Sequence, residues 1–184
     1  MQTQKDLCLA HPKGGIMNID VLSFGRLAYR VFEEVGQDAR VVLDDEGKNL
    51  VLRKIAGECE KDLKVFKGNL KKQGYISEVK SVLSEFAQYG VDFERLDDFM
   101  KEVPPESYLH YKLDDIRTIY EKFEEYLSEK YITKEEMLDV LSDAVPYSDI
   151  LKGSVVAMDG FTGFTPVQNR LIGELFSVCE KVMI

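Results

Sequence analysis

Two short stretches of this chain gather side chains capable of chemistry. The first is Ser23-Phe24-Gly25-Arg26-Leu27-Ala28, with Tyr29 behind it. The second is Asp159-Gly160-Phe161-Thr162-Gly163-Phe164-Thr165-Pro166-Val167-Gln168. Phe24, Arg26 and Tyr29 offer an aromatic face, a guanidinium and a second ring. Nucleobases stack on such rings for roughly 1–3 kcal/mol each, and arginine contacts base edges or phosphates. Phe161 and Phe164 lie in a Gly/Thr-rich turn, where two rings among polar residues need a pocket or a partner. Thr162, Thr165 and free backbone N–H groups near a helix start suit a phosphate. Acid–base and nucleophilic chemistry have less to work with. His11 and His110 have no evident partners, and no serine sits in a nucleophile elbow. The carboxylate pairs Asp44-Asp45, Asp97-Asp98 and Asp114-Asp115 fall at helix starts or on exposed faces, serving the helix dipole or solubility. No catalytic residue and no metal site is expected.

The elements around these stretches follow from apolar spacing. Residues 2–10 form a short amphipathic helix that stops at Pro12-Lys13-Gly14-Gly15. Residues 16–22, IMNIDVL, alternate and predict a strand running into a helix with Ser23 as N-cap and Gly36 as its stop. From 41 to 151 the spacing is helical almost throughout. One helix starts at Asp44-Asp45, one stops at Gly90, a short one is capped by Asp92, and the longest covers 106–130. Thr133-Lys134-Glu135-Glu136 is a capping box opening a further helix. Ser154-Val155-Val156-Ala157-Met158 is a continuous apolar run, which predicts a buried parallel strand. Thr165, Pro166 and Gln168 then start another helix, and residues 181–184 begin a last apolar run. The expected class is α/β, mostly helical, with a partial parallel sheet. An α/β lobe from 1–40 and 152–184 carries a large all-helical insertion, 41–151, and the final run reads as part of a larger protein.

Composition narrows the function. The 184 residues hold 24 Lys+Arg against 33 Asp+Glu, a formal charge of −9, with 45% hydrophobic residues and no Trp. That is too apolar for a disordered chain. Net negative charge argues against a general polyanion binder, though not against a local aromatic nucleic-acid site. No apolar run approaches the roughly 20 residues that span a bilayer, so no membrane role is expected. Cys8, Cys59 and Cys179 lie far apart, match no zinc spacing, and read as thiols of a reducing cytoplasm without a disulfide. Lys61, Lys64, Lys67, Lys71 and Lys72 form the one basic cluster, which either tracks a phosphate backbone or solubilises a loop.

The second stretch resembles the Walker B segment of superfamily-one helicases of the UvrD/Rep type, an apolar strand followed by D-E-x-Q-D-x-x-x-x-Q. Asp159 and Gln168 match its leading Asp and closing Gln. Gly160 stands where the water-activating Glu would be, and Thr162 and Gly163 replace the following Gln and Asp. The first stretch resembles the T-F-H-x-L-A segment that lies beside the single strand in those helicases. Closer still, GGIMNIDVLSFGRLAYRVFEEVG, DEGKNLVLRKI, EVKSVLSEFAQYGV and MDGFTGFTPVQNRLIGELF are similar to AddB (RexB), one of the two subunits of the bacterial AddAB (RexAB) helicase–nuclease. That resemblance covers essentially the whole chain, as an internal piece near the family's N-terminus. The family's G-x-x-G-x-G-K-S phosphate loop, nuclease motifs and iron–sulfur cysteines are absent from these residues.

The resemblance implies an inactivated superfamily-one lobe and a share in double-strand-break repair by homologous recombination. The parent complex would be an ATP-dependent helicase and exonuclease using ATP, Mg and an iron–sulfur cluster. This segment would hold none of these and catalyse nothing itself. Its implied partners are single-stranded DNA, scanned for the Chi sequence, and the AddA-type subunit. The implied DNA-binding residues are Phe24, Arg26, Tyr29, Phe161, Thr162 and Phe164, with Asp159 and Gly160 as a degenerate Walker B pair. Plainer readings stand beside these. Phe24 fits a core position, Arg26 a solvated one, Phe161 a packing contact on the helical block, and Thr165 a cap. On that view the chain is a structural subunit-interaction module, with the acidic face of 106–130 in solvent or against the AddA-type partner.

Overall fold

The computed structural model describes residues 2–36, 40–69, 72–128 and 130–184. Lys71 of the basic cluster, Glu129 of the longest expected helix, and residues 37–39 beside the expected boundary lie outside the described residues. Helix α1 (Gln2–Ala10) buries none of its side chains. Helix α2 (Phe24–Val35) begins where Ser23 Oγ accepts the Arg26 N–H at 3.3 Å and ends at Gly36, whose φ of 71° is the left-handed stop glycine allows. Strand β1 (Val41–Leu43) leads into α3 (Asp45–Cys59), and Asp44 Oδ1 caps that helix by accepting the Gly47 N–H at 2.7 Å. Helices α4 (Gln73–Tyr89), α5 (Phe93–Glu102) and α6 (Tyr108–Leu127) follow, with Asp92 and Ser107 capping the last two. The chain continues through β2 (Tyr131–Thr133), α7 (Glu136–Ala144), a 3-10 turn (Val145–Tyr147), β3 (Val155–Ala157), α8 (Pro166–Val178) and β4 (Lys181–Met183).

These elements bury their apolar faces in two main cores. Leu52, Ile55, Val79, Leu83, Ile119 and Phe123 bring α3, α4 and α6 together. Ala28, Val31, Leu141, Ala144, Leu171 and Leu175 bring α2, α7 and α8 together, with Ile132 of β2 beside them. Each large apolar side chain removed from water contributes about 1.5–3 kcal/mol. Residues from both ends of the chain therefore share one core, and Phe24, Met158 and Val182 pack at its margin. Lys48, 2% exposed, bridges between elements: its Nζ donates to Glu135 at 2.7 Å and to Ser84 Oγ at 3.2 Å. A buried cation needs such partners.

The structure corrects the sequence reading at four places and bears on a fifth. Residues 16–22 form no strand: Asn18 takes φ 61°, which breaks extended pairing, and Met17 is 87% exposed. The block 41–151 is not all helix, because β1 and β2 pair in parallel with Val42 opposite Ile132. The β3–β4 pair is parallel as expected, with Val156 opposite Val182, but it is not buried, since Val155 is 57% exposed. Asp115 is not a surface carboxylate. It is 1% exposed and accepts the backbone N–H groups of Lys64, Val65 and Phe66 at 2.7–2.8 Å. The basic cluster is partly tied down: Lys64 pairs with Asp114 at 2.9 Å and lies over the Tyr111 ring, while Lys72 donates to Asn69.

Candidate nucleic-acid interface

The start of α2 and the turn after β3 meet at their aromatic rings. The Ser23 cap fixes Phe24 as the first residue of α2, in line with Ala28 and Val31 at helical spacing, so its ring leans toward the shared core. Beside it, Gly25 faces α7, where a Cβ would make only an ordinary contact, 3.4 Å from Met137 Cε. On the other side, the Met158 N–H donates to Met183 O at 2.8 Å, extending the β3–β4 pairing by one residue before the chain turns. Phe161 follows in that turn. Its ring centroid lies 5.4 Å from that of Phe24, tilted by 41°, and 5.0 Å from that of Phe164, stacked at 30°. Such offset and tilted pairs contribute about 0.5–1.5 kcal/mol beyond area burial.

Thr165 and Gln168 hold the far end of the turn. Thr165 Oγ1 accepts the Gln168 N–H at 3.4 Å, and Gln168 Oε1 accepts the Thr165 N–H at 3.0 Å. This reciprocal cap, with Pro166 in the first turn of α8, fixes where the helix begins and so where Phe164 stands. Gln168, which matched the closing Gln of the helicase motif, is engaged here as a capping side chain.

The remaining expected residues divide by position. Arg26 and Tyr29 fall on the outer face of α2, away from the Phe24 line; Arg26 is exposed and Tyr29 is 57% exposed. Among the described residues no ring contact joins Tyr29 to the Phe24–Phe161–Phe164 cluster, and Arg26 makes no ion pair. Arg30, one turn on, is held by Asp20 at 2.6 Å. Thr162 is exposed in the turn, as are Asp159 and Gly160. The structure thus brings Phe24, Phe161 and Phe164 together and leaves Arg26 and Tyr29 on an adjoining open face.

The donor set does not fit a metal-bound nucleotide. Asp159 is followed by Gly160, Phe161, Thr162 and Gly163, none of which supplies a second carboxylate. Among the described residues no group of three His, Cys, Asp or Glu side chains converges on a metal position. What the arrangement does offer is a ring surface with hydroxyls, backbone amides and an exposed guanidinium nearby. The sequence reading did not anticipate the backbone at Gly160, which takes φ +81°. Its signal was the Asp-Gly pair at the end of a strand, a common turn pair. No helix among the described residues is long and apolar enough to cross a membrane.

Comparison with known proteins supplies the family. The chain matches the family described as "ADDB, N-terminal" over residues 1–184. It is 46% identical over its full length to the B subunit of the ATP-dependent helicase/deoxyribonuclease of Lachnoclostridium phytofermentans. It is 35% identical over its full length to the protein of the same name from Alkaliphilus metalliredigens, and 36% identical over 99% of its length to that from Alkaliphilus oremlandii. In each case the chain spans 16% of the relative's length. With one family matched from end to end, this chain belongs to the AddB N-terminal family.

Proposed function

We propose that this chain is a non-catalytic single-strand DNA-binding and scaffold segment of an AddB-type helicase–nuclease subunit. The observation that supports it is the meeting of Phe24 with Phe161 and Phe164, contributed by opposite ends of the chain. Phe161 and Phe164 beyond the carboxyl end of a parallel strand pair, Phe24 against them, and an exposed guanidinium and tyrosine on the adjoining face of α2 make a surface on which bases stack without a hydrogen-bond code. On this reading 1–40 and 152–184 form an inactivated superfamily-one helicase lobe and 41–151 is its insertion, the end of which (Ile132 and α7) packs into the lobe's own core. ATP hydrolysis is not assigned to this chain, because Gly160 leaves no carboxylate beside Asp159 to activate water. The relatives are named as one lettered component of an ATP-dependent helicase/deoxyribonuclease, which implies an AddA-type partner. In keeping with the AddB resemblance, its role is in end resection during break repair, with this surface contributing to Chi recognition on the displaced strand.

Fluorescence anisotropy of labelled single strands with the assembled full-length complex tests the reading. Salt-sensitive binding that weakens in Phe24→Ala and Arg26→Ala, with unchanged circular dichroism, is the expected result. Binding that is absent, or unaffected by either change, favours a structural subunit-interaction module in which the rings only pack the lobe.

A further inference from the structure

We infer that the cleft between α4 and α6 is a docking site for an acidic amphipathic segment of the AddA-type subunit. This rests on the reading above that the chain works beside such a partner, and is independent of whether the aromatic surface binds DNA. The cleft measures about 390 Å³ and is open to solvent. Phe66, Val79 and Ile116, all buried in the helical core, form its floor, and Tyr75 and Val82 stand half-buried on the α4 side. Phe66 and Tyr75 meet edge to face, with ring centroids 6.3 Å apart at 74°, which fixes the rings at one end of the floor.

Helical spacing carries the apolar surface beyond the cleft. Lys112 and Ile116 lie one turn apart on α6, and Leu109, 47% exposed, falls on the same line one turn earlier. On α4, Tyr75, Val79 and Val82 recur at the matching interval. Two helices with an apolar trough between them have the shape into which a third helix packs. The volume also falls in the small-molecule range, but such sites bury most of their ligand. An open trough flanked by an exposed leucine suits side chains projecting from a partner.

The charges decide which segment fits. Lys112 lines the cleft half-buried, and Glu78 is its one acidic lining side chain; among the described residues neither makes an ion pair, with the other or elsewhere. Lys48 shows the contrast: where a lysine is buried to serve this fold, Glu135 and Ser84 receive its ammonium. The loop that carries Phe66 adds the exposed Lys67, and Lys72 precedes α4 with its ammonium on the neutral Asn69 side chain. Lys64 and Asp114 offset each other. Lys67, Lys72 and Lys112 against Glu78 make a positive mouth on a chain of net charge −9, so the complementary segment is acidic. The relatives' name, a lettered component of a helicase/deoxyribonuclease, makes another component of that assembly the partner at hand.

The assembled full-length complex tests this site. With p-benzoylphenylalanine in place of Ser81, which lines the cleft and is exposed, irradiation should give an adduct in the AddA-type subunit. Its peptide, mapped by mass spectrometry, should carry acidic and apolar residues. Lys112→Glu should speed dissociation of the complex about tenfold, read by exchange with a fluorescent AddA-type subunit. Leu109→Ser, at an exposed position, should act in the same direction by about fivefold. Lys5→Glu, the same charge change on α1, should leave the rate within about twofold. Reversing the crosslinked acidic residue of the partner to lysine should restore the rate in Lys112→Glu. Unsubstituted subunits that do not assemble would overturn the shared-assembly reading and this site together. Dissociation unchanged by Lys112→Glu, or equally quickened by Lys5→Glu, would overturn the site alone. So would adducts confined to the rest of this same polypeptide or to DNA, or no adduct at all.

Discussion

Replacing Asp115 by alanine is expected to cost about 4 kcal/mol of stability. The carboxylate is 1% exposed and accepts three consecutive backbone N–H groups, from Lys64 at 2.8 Å, Val65 at 2.7 Å and Phe66 at 2.8 Å. These amides belong to the segment that leaves α3, so one side chain of α6 fastens that segment to the core containing Leu63 and Phe66. A buried donor left without an acceptor costs about 1–3 kcal/mol, and three would sum to roughly 3–9 kcal/mol. Lys64 is exposed and water can reach its amide, which leaves Val65 and Phe66 as the principal losses and brings the figure to the lower half of that range. For a chain of 184 residues this lowers the thermal midpoint by about 8–16 °C. Asp115→Asn keeps one accepting oxygen and turns its amide NH2 toward a backbone donor, so its cost is about half as large, roughly 2 kcal/mol. Urea unfolding followed by far-ultraviolet circular dichroism measures both, with an unchanged denaturant slope as the control for two-state behaviour. A loss below about 1 kcal/mol for Asp115→Ala would refute the idea that this carboxylate anchors the segment.

Two further outcomes follow from buried charge. Burial, with Glu136 nearby, pushes the Glu124 carboxyl from its ordinary 4.5 up to about 7. Stability should therefore be greatest below about pH 4.5 as far as this group is concerned, and fall as pH rises through about 7. Discounted for its residual solvent contact, that fall is about 1–2 kcal/mol, and Glu124→Gln should remove it; a pH–stability profile unchanged by that substitution would contradict the assignment. Lys48→Met leaves Glu135 without its partner and is expected to cost about 3–5 kcal/mol, while Lys48→Met with Glu135→Met recovers most of it. A double variant no more stable than Lys48→Met, measured by the same urea unfolding, would mean that the pair is not coupled.

Local signals were legible in the sequence where one side chain decides one backbone event. Ser23, Asp44, Asp92 and Thr165 cap helices where their types predict, and Gly36 and Gly90 stop them in the left-handed conformation. Pairing across long separations was not legible. Val41-Val42-Leu43 and Tyr131-Ile132-Thr133 are three residues each and meet across most of the helical block, so no local period announces them. The alternation of residues 16–22 misled for the opposite reason: the pattern is present, but Asn18 turns the backbone and no described strand pairs with it. Asp115 was hidden because Asp114 and Asp115 look alike in sequence, and only the helix face separates an exposed ion pair to Lys64 from a buried anchor. At the interface, the ring-bearing residues were legible by type. That Phe24, Phe161 and Phe164 meet while Arg26 and Tyr29 stand on an adjoining outer face required the geometry, because Phe24 and Tyr29 lie on different sides of one helix.

Photo-crosslinking asks whether Phe161 and the single strand touch. A strand carrying iodouracil, bound to the full-length complex and irradiated, should crosslink to aromatic side chains with which its bases stack. Peptide mapping by mass spectrometry should then place an adduct on Phe161, and the adduct should disappear in Phe161→Ala while the complex stays assembled. Adducts found only outside the Phe24 and Phe161–Phe164 rings, or none in this chain at all, would contradict a DNA-binding role for this surface.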